Sequence, residues 1–139
     1  MAETAVQFEL VSPEQLLLSE DVEMVVVPGG EGDFGVLPGH SPMISTVRPG
    51  VIHVFASGSV SSRIFVAGGF AEVTGTRCTV LAEEALVVDD IDRAQVETDL
   101  QNAVEDLGGA SDPSEQKAAE DRASTARAKL AAIDAPVYQ

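Results

Sequence analysis

The chain has 139 residues, with 23 Asp and Glu against 8 Lys and Arg and a formal net charge of −15. That length suits one ordinary domain, or a small domain with an appendage, burying roughly two thirds of its unfolded surface; the acidic surplus repels DNA, RNA and anionic headgroups. Cys78 is the single cysteine and His40 and His53 are the only histidines, which excludes an internal disulfide framework and a cysteine-cluster zinc site.

The opening MAETAVQFELV has no basic leader and no apolar core, and no run reaches the roughly 18 apolar residues of a spanning helix. A soluble chain that is not exported is expected. From Val6 to about Val88 the apolar residues favour β-branched types and alternate. In VQFELV, Val6, Phe8 and Leu10 share a face; in SSRIFVAG, Ile64 and Val66 oppose Arg63 and Phe65; in RCTVLAEE, Cys78 and Val80 oppose Thr79 and Leu81. Turn-rich gaps (VRPG, ASGSVSS, AGG, VTGTR) separate these runs, which predicts an antiparallel β-sandwich or flattened barrel. No long helical pattern interrupts them to make the crossovers of a parallel sheet.

Within this half, GEGDFG (Gly30 to Gly35) fits the spacing G-x-G-x-x-G of a dinucleotide-binding turn. The chemistry does not follow the spacing. That fingerprint needs its last glycine to open a helix whose amides meet the pyrophosphate, whereas Pro38, Gly39 and Pro42 follow here and Glu31 and Asp33 put negative charge where phosphate would sit. No Lys-Ser or Lys-Thr follows to make a Walker loop.

After Val88 the pattern changes to helix. In DDIDRAQVETDLQNAVEDLGG, Val96, Leu100, Ala103, Val104 and Leu107 recur at helical spacing, Asp residues crowd the start, and Gly108 and Gly109 offer a stop. Asp90 is read first as a helix cap. A second start follows in DPSE, where Asp112 can cap, Pro113 suits the first position and Glu115 completes a capping-box pattern. Ala119, Ala123, Ala126, Leu130 and Ile133 then give a narrow stripe of small residues, predicting an antiparallel two-helix hairpin over 89–139 behind a β-domain over 1–88.

Single residues have structural explanations beside functional ones. His40 in the PGH turn suits bonding to its own turn as well as an interface; His53, in VIHVF, reads as a solvent-side or satisfied strand residue; Cys78 reads as a small buried hydrophobe. Two separated histidines do not supply a cupin's metal set, and adjacent His40 and Ser41 without a nucleophile elbow do not make a hydrolase triad. No catalytic or metal-binding residue is expected.

The string GEGDFGVLPGHSPMISTVRPG resembles the strand-loop-strand signature of the epsilon subunits of F-type ATP synthases, with its Pro-Gly-His-small-Pro core and second Pro-Gly. FELVSPEQLLLSEDVEMVVVPG, FVAGGFAEV and CTVLAEEALVVDDIDRA resemble further stretches of the same family, covering nearly all of residues 6 to 107. The resemblance implies a non-catalytic subunit of the central rotor stalk. Its sandwich would bind the gamma subunit and sit on the ring of c subunits at the cytoplasmic side of a bacterial inner membrane, peripheral to the lipid. Carried over position by position, Glu31, Gly32, Asp33 and Phe34 match the loop facing the c-ring, and His40, Ser41 and Met43 the region facing gamma.

In many members of that family the hairpin extends toward the alpha and beta catalytic subunits and blocks ATP hydrolysis, and in some members ATP bound at the hairpin favours the folded form. Of the nucleotide motif, Glu84, Asp90 and Arg93 with Ala94 match, but Asp89 stands at the aliphatic position and Leu100 where a further Arg is expected. Arg93 is surrounded by Asp89, Asp90, Asp92 and Glu97, so weak or absent ATP binding is expected and no other cofactor is implied. An inhibitory second helix is expected to be basic; here Lys117, Arg122, Arg127 and Lys129 are offset by Glu115, Glu120, Asp121 and Asp134, implying weak or no inhibition. The alternative is a nucleotide-sensing inhibitory subunit.

Overall fold

The computed structural model describes residues 5–135. Eight strands come first: β1 Val6–Val11, β2 Leu16–Val22, β3 Met24–Gly29, β4 Gly32–Val36, β5 Met43–Thr46, β6 Gly50–Ala56, β7 Ser59–Val73 and β8 Arg77–Val87. A 3-10 turn, Val88–Asp90, leads to helices α1 Arg93–Gly109 and α2 Pro113–Asp134.

The strands form one sheet in the order β2-β1-β8-β7-β6-β3-β4, with β5 added on β7. Two long strands let this sheet fold over into two layers. The first part of β7 pairs with β6 and the last part with β5, while only the first part of β8 pairs with β1. Between the parts lie Gly68 and Gly69, with φ of +72° and +97°. A Cβ on Gly69 would stand 1.8 Å from the Leu81 carbonyl oxygen, so only glycine lets β7 turn this corner against β8. The layer of β2, β1 and β5 thus faces that of β6, β3 and β4. Their inward residues, among them Phe8, Leu10, Val25, Val27, Ile52, Val54, Val66 and Val80, make one buried cluster. The expected sandwich is present, but β1 and β8 run parallel, which makes the sheet mixed. β8 enters beside β1 only after the chain has built the six strands between them, and it returns from the same end.

Both helices start at aspartates whose carboxylates accept backbone amides. Asp92 accepts from the Gln95 N–H at 3.2 Å and Asp112 from the Glu115 N–H at 2.8 Å, with Pro113 in the first turn of α2. That amide bond, before the Ser114 hydroxyl, holds the Asp112 carboxyl below its ordinary range. The cap of α1 is therefore Asp92, two residues beyond Asp90, which lies in the 3-10 turn. Val96 and Ala103 of α1 and Ala119, Ala123 and Ala126 of α2 are buried. Val104, expected in this stripe, is 45% exposed. Beyond Ala126 α2 also packs on the sandwich: Ala132 and Ala128 lie with Phe65, Ala67, Val51 and Val88. Phe65, on the side of β7 opposite Ile64 and Val66, is fully buried in this outer cluster.

Candidate functional site

The glycine-rich stretch is a β-hairpin. Gly29 pairs with Gly32, leaving Gly30 and Glu31 as a two-residue turn between β3 and β4. Gly32 takes φ +139°, and the Gly30 N–H donates to the Thr46 carbonyl at 2.9 Å. A Cβ on Gly30 would stand 2.2 Å from Thr46 Oγ1, so this glycine serves close approach of β5. No helix follows, and no oriented amides for phosphate are made.

Each residue matched to a c-ring contact has a definite place. Glu31 is exposed at the tip and Gly32 beside it. Asp33 lies 2.5 Å from Arg48 Nη2, and Arg48 Nη1 donates to the Gly29 carbonyl at 2.6 Å, bracing the base of the turn. Such a half-exposed pair contributes about 0–1 kcal/mol, so its value is orientation more than stability. Phe34 is half-buried against the core. Nothing in VRPG signals that Arg48 reaches back to β3 and β4.

Of the three residues matched to gamma, His40 is half-buried, with Nδ1 2.7 Å from the Ser41 carbonyl, and Ser41 is exposed. Met43 packs partly on the core. Its neighbour Ile44 points outward and is 72% exposed. Ile44 borders a row that the register draws across the outer face of the first layer. Phe70 of β7 pairs with Leu81 of β8, Leu81 with Val11 of β1, and Val11 with Leu16 of β2. Phe70 is 48% and Leu16 56% exposed, with Leu81 and Val11 partly covered. Strand alternation assigns these side chains a face, but only the pairing of strands distant in sequence makes them neighbours. The sandwich thus has one outer face occupied by α2 and one bearing uncovered apolar side chains.

At the hairpin, Glu84, Asp90 and Arg93 do not converge. Glu84 pairs with Lys129, whose ammonium also stands 5.7 Å from the Phe65 ring centroid, and Arg93 pairs with Asp134. A cleft of about 380 Å³ between the helices and β8 is lined by Glu84, Asp99, Asp121, Arg122 and Lys129 among others, but by neither Asp90 nor Arg93. Both cations of that lining are already engaged, Lys129 with Glu84 and Arg122 with Asp106 at 3.0 Å. Three carboxylates face it, an environment opposed to a triphosphate.

His53 is buried at 8% exposure, contrary to a solvent-side position. Burial first, then Arg63, lowers its pKa, against opposing influences from Asp33 and the Val51 carbonyl. Cys78 is fully buried, as expected, and burial pushes its thiol up to about 12. Among the described residues no His, Cys, Asp and Glu cluster suits a metal, and no helix is long and apolar enough to cross a membrane.

Comparison with known proteins agrees with this architecture. The family described as ATP synthase, Delta/Epsilon chain, beta-sandwich domain matches residues 5–88. The ATP synthase epsilon chain of Rhodospirillum centenum is 57% identical over 129 residues, covering 89% of this chain and 88% of that protein. That of Rhodospirillum rubrum is 55% identical over 132 residues, covering 95% and 98%. A chain in the OSCP/F1/c-ring structure of the Euglena gracilis mitochondrial ATP synthase shares the fold at TM-score 0.83 and 22% identity, over 96% of this chain and 84% of that one. Another, in the central stalk/c-ring structure of the Tetrahymena thermophila mitochondrial enzyme, shares it at 0.66 and 17%, over 96% and 99%. With its sandwich matched throughout and its relatives covered nearly end to end, the chain belongs to the ATP synthase epsilon chain family.

Proposed function

We propose that the chain is a non-catalytic rotor subunit of the central stalk, coupling proton-driven rotation of the c-ring to ATP synthesis through the gamma subunit. The observation that carries this is the apolar row of Phe70, Leu81, Val11 and Leu16 with Ile44 beside it, on the outer face that α2 leaves bare. A stalk subunit needs a firm lateral contact with its shaft, and apolar side chains already fixed in a sheet supply one at little ordering cost. Gamma would cover this row together with His40 and Ser41. The braced turn would present Glu31 and Gly32 to the c-ring, with Asp33 and Phe34 supporting it from behind. The complex would hold the chain peripherally on the cytoplasmic side of a bacterial inner membrane.

Residues 1–88 would form the rotor-binding unit and 89–139 a hairpin facing the alpha and beta subunits. Inhibition of hydrolysis would be weak or absent, because the basic groups of α2 are matched by acids. Nucleotide affinity would likewise be weak or absent, because the cations of the hairpin cleft are engaged.

The test is co-elution with the cognate gamma subunit. A one-to-one complex is expected, and Ile44→Asp should weaken it by roughly 10- to 100-fold, the range that losing burial of one large aliphatic side chain implies. No complex with the unaltered chain would overturn the proposal. In the competing reading the hairpin is a nucleotide-sensing brake; submillimolar ATP binding by calorimetry, or severalfold faster hydrolysis by the assembled enzyme after deletion of 89–139, would favour it.

A further inference from the structure

We propose that His53 makes the packing of the hairpin on the sandwich sensitive to pH, so that uptake of a proton at this imidazole loosens the last turns of α2 from the sheet. His53 stands on the outward side of β6, between two points where α2 is anchored. Val51, two residues along the same side, packs in the cluster with Ala128 and Ala132. Arg63, the direct partner of His53 on β7, reaches the Ala135 carbonyl just beyond the end of α2, Nη1 to O 3.5 Å. The histidine therefore lies in the seam that the hairpin closes, and only 8% of its surface is exposed.

The charged groups around this seam decide the sign. From β7 the Arg63 guanidinium disfavours a second positive charge; from β4 Asp33 favours it, but that carboxylate is also held by Arg48. At the end of α2 Asp134 is paired with Arg93, and on β8 Glu84 is paired with Lys129 of α2. Burial and Arg63 together depress the pKa of the packed state below the ordinary value of 6.5. Lifting α2 exposes the ring to water and returns its pKa toward that value. Packing therefore releases a proton. Its contribution is fully present above the ordinary value and is lost as pH falls from there through the depressed one. This inference concerns the packed hairpin itself and is independent of any role in a rotor.

Hydrogen exchange of the full chain tests it, at about pH 7.5 and about pH 5.5, corrected for the intrinsic pH dependence of exchange. The amides of residues 126–134 should exchange at least about threefold faster at the lower pH. Sandwich core amides should not change. In His53→Gln the pH effect should vanish, and in His40→Gln it should persist. A wild-type hairpin indifferent to pH, or a pH effect that survives His53→Gln, overturns the proposal. An NMR titration of the unaltered chain is a second check that needs no variant: His53 must titrate below the ordinary value of 6.5, and titration at or above that value also overturns the proposal.

Discussion

Gly69→Ala is the sharpest test of how the two layers are joined. The added methyl would lie 1.8 Å from the Leu81 carbonyl oxygen, 2.9 Å from its carbon and 3.2 Å from Ala82 Cα, at a residue whose φ is +97°. An L-residue in the left-handed region costs about 1–2 kcal/mol. The clash is with backbone, which no rotamer change relieves, so β7 and β8 must separate locally. Losing one or two ladder hydrogen bonds there costs about 1 kcal/mol each. The sum, about 2–4 kcal/mol, exceeds the usual effect of a single substitution. Urea unfolding of the β-domain, followed by circular dichroism, should show this as a lower midpoint at unchanged slope. Gly75→Ala is the control, because a Cβ at Gly75 meets nothing within 4 Å. If Gly69→Ala lost less than about 1 kcal/mol, the corner would not depend on glycine and the account of the folded-over sheet would fail.

Lys129→Ala should loosen the hairpin without touching the sandwich. It removes a cation from the Phe65 face, worth about 0.5–1 kcal/mol, and a partly exposed ion pair with Glu84, worth about 0–1 kcal/mol. Exchange of the α2 amides should then rise roughly 3- to 30-fold while β6 and β7 keep their protection; unchanged α2 exchange would show that apolar packing alone holds the hairpin. Cys78, with its thiol pushed up to about 12 and no exposed surface, should resist a thiol reagent at about pH 8 in the native chain and react fully in denaturant. Labelling of the native chain at a rate near that of a free thiol would contradict the packed position of β8.

What could be read from the sequence was what neighbours in sequence decide. Alternation put Val6, Phe8, Leu10, Cys78 and Val80 inward, and the Asp112, Pro113 and Glu115 start signal is realised as a cap, with Glu115 also accepting from the Ser111 N–H. Asp89, Asp90 and Asp92 stand within one turn, and only backbone geometry makes Asp92 the cap. The parallel pairing of β1 with β8 and the bracing of Asp33 by Arg48 depend on which distant segments become neighbours. The same limit applies to the candidate surface. Met43 belongs to a matching motif yet faces the core, while Phe70 and Leu16, in matching stretches that imply no contact for them, meet in a row only through three strand pairings.

The arrangement of charge makes a last prediction about assembly. Of the eight Lys and Arg, Arg48, Arg77, Arg93, Lys117, Arg122 and Lys129 each hold a carboxylate within the chain. The cations are largely matched internally, so the field offered to a partner is acidic, and it surrounds a row that is itself apolar. Long-range attraction of a basic partner should therefore speed encounter, while the row should hold the complex once formed. Raising salt from about 50 to about 300 mM shortens the Debye length to below the span of the surface and should slow association severalfold. Dissociation should change by less than about threefold, because burial of apolar area is not screened. Stopped-flow association and dissociation with the gamma subunit separates the two effects. A dissociation rate that climbed steeply with salt would mean that ion pairs hold the interface, and would remove the apolar row as its anchor.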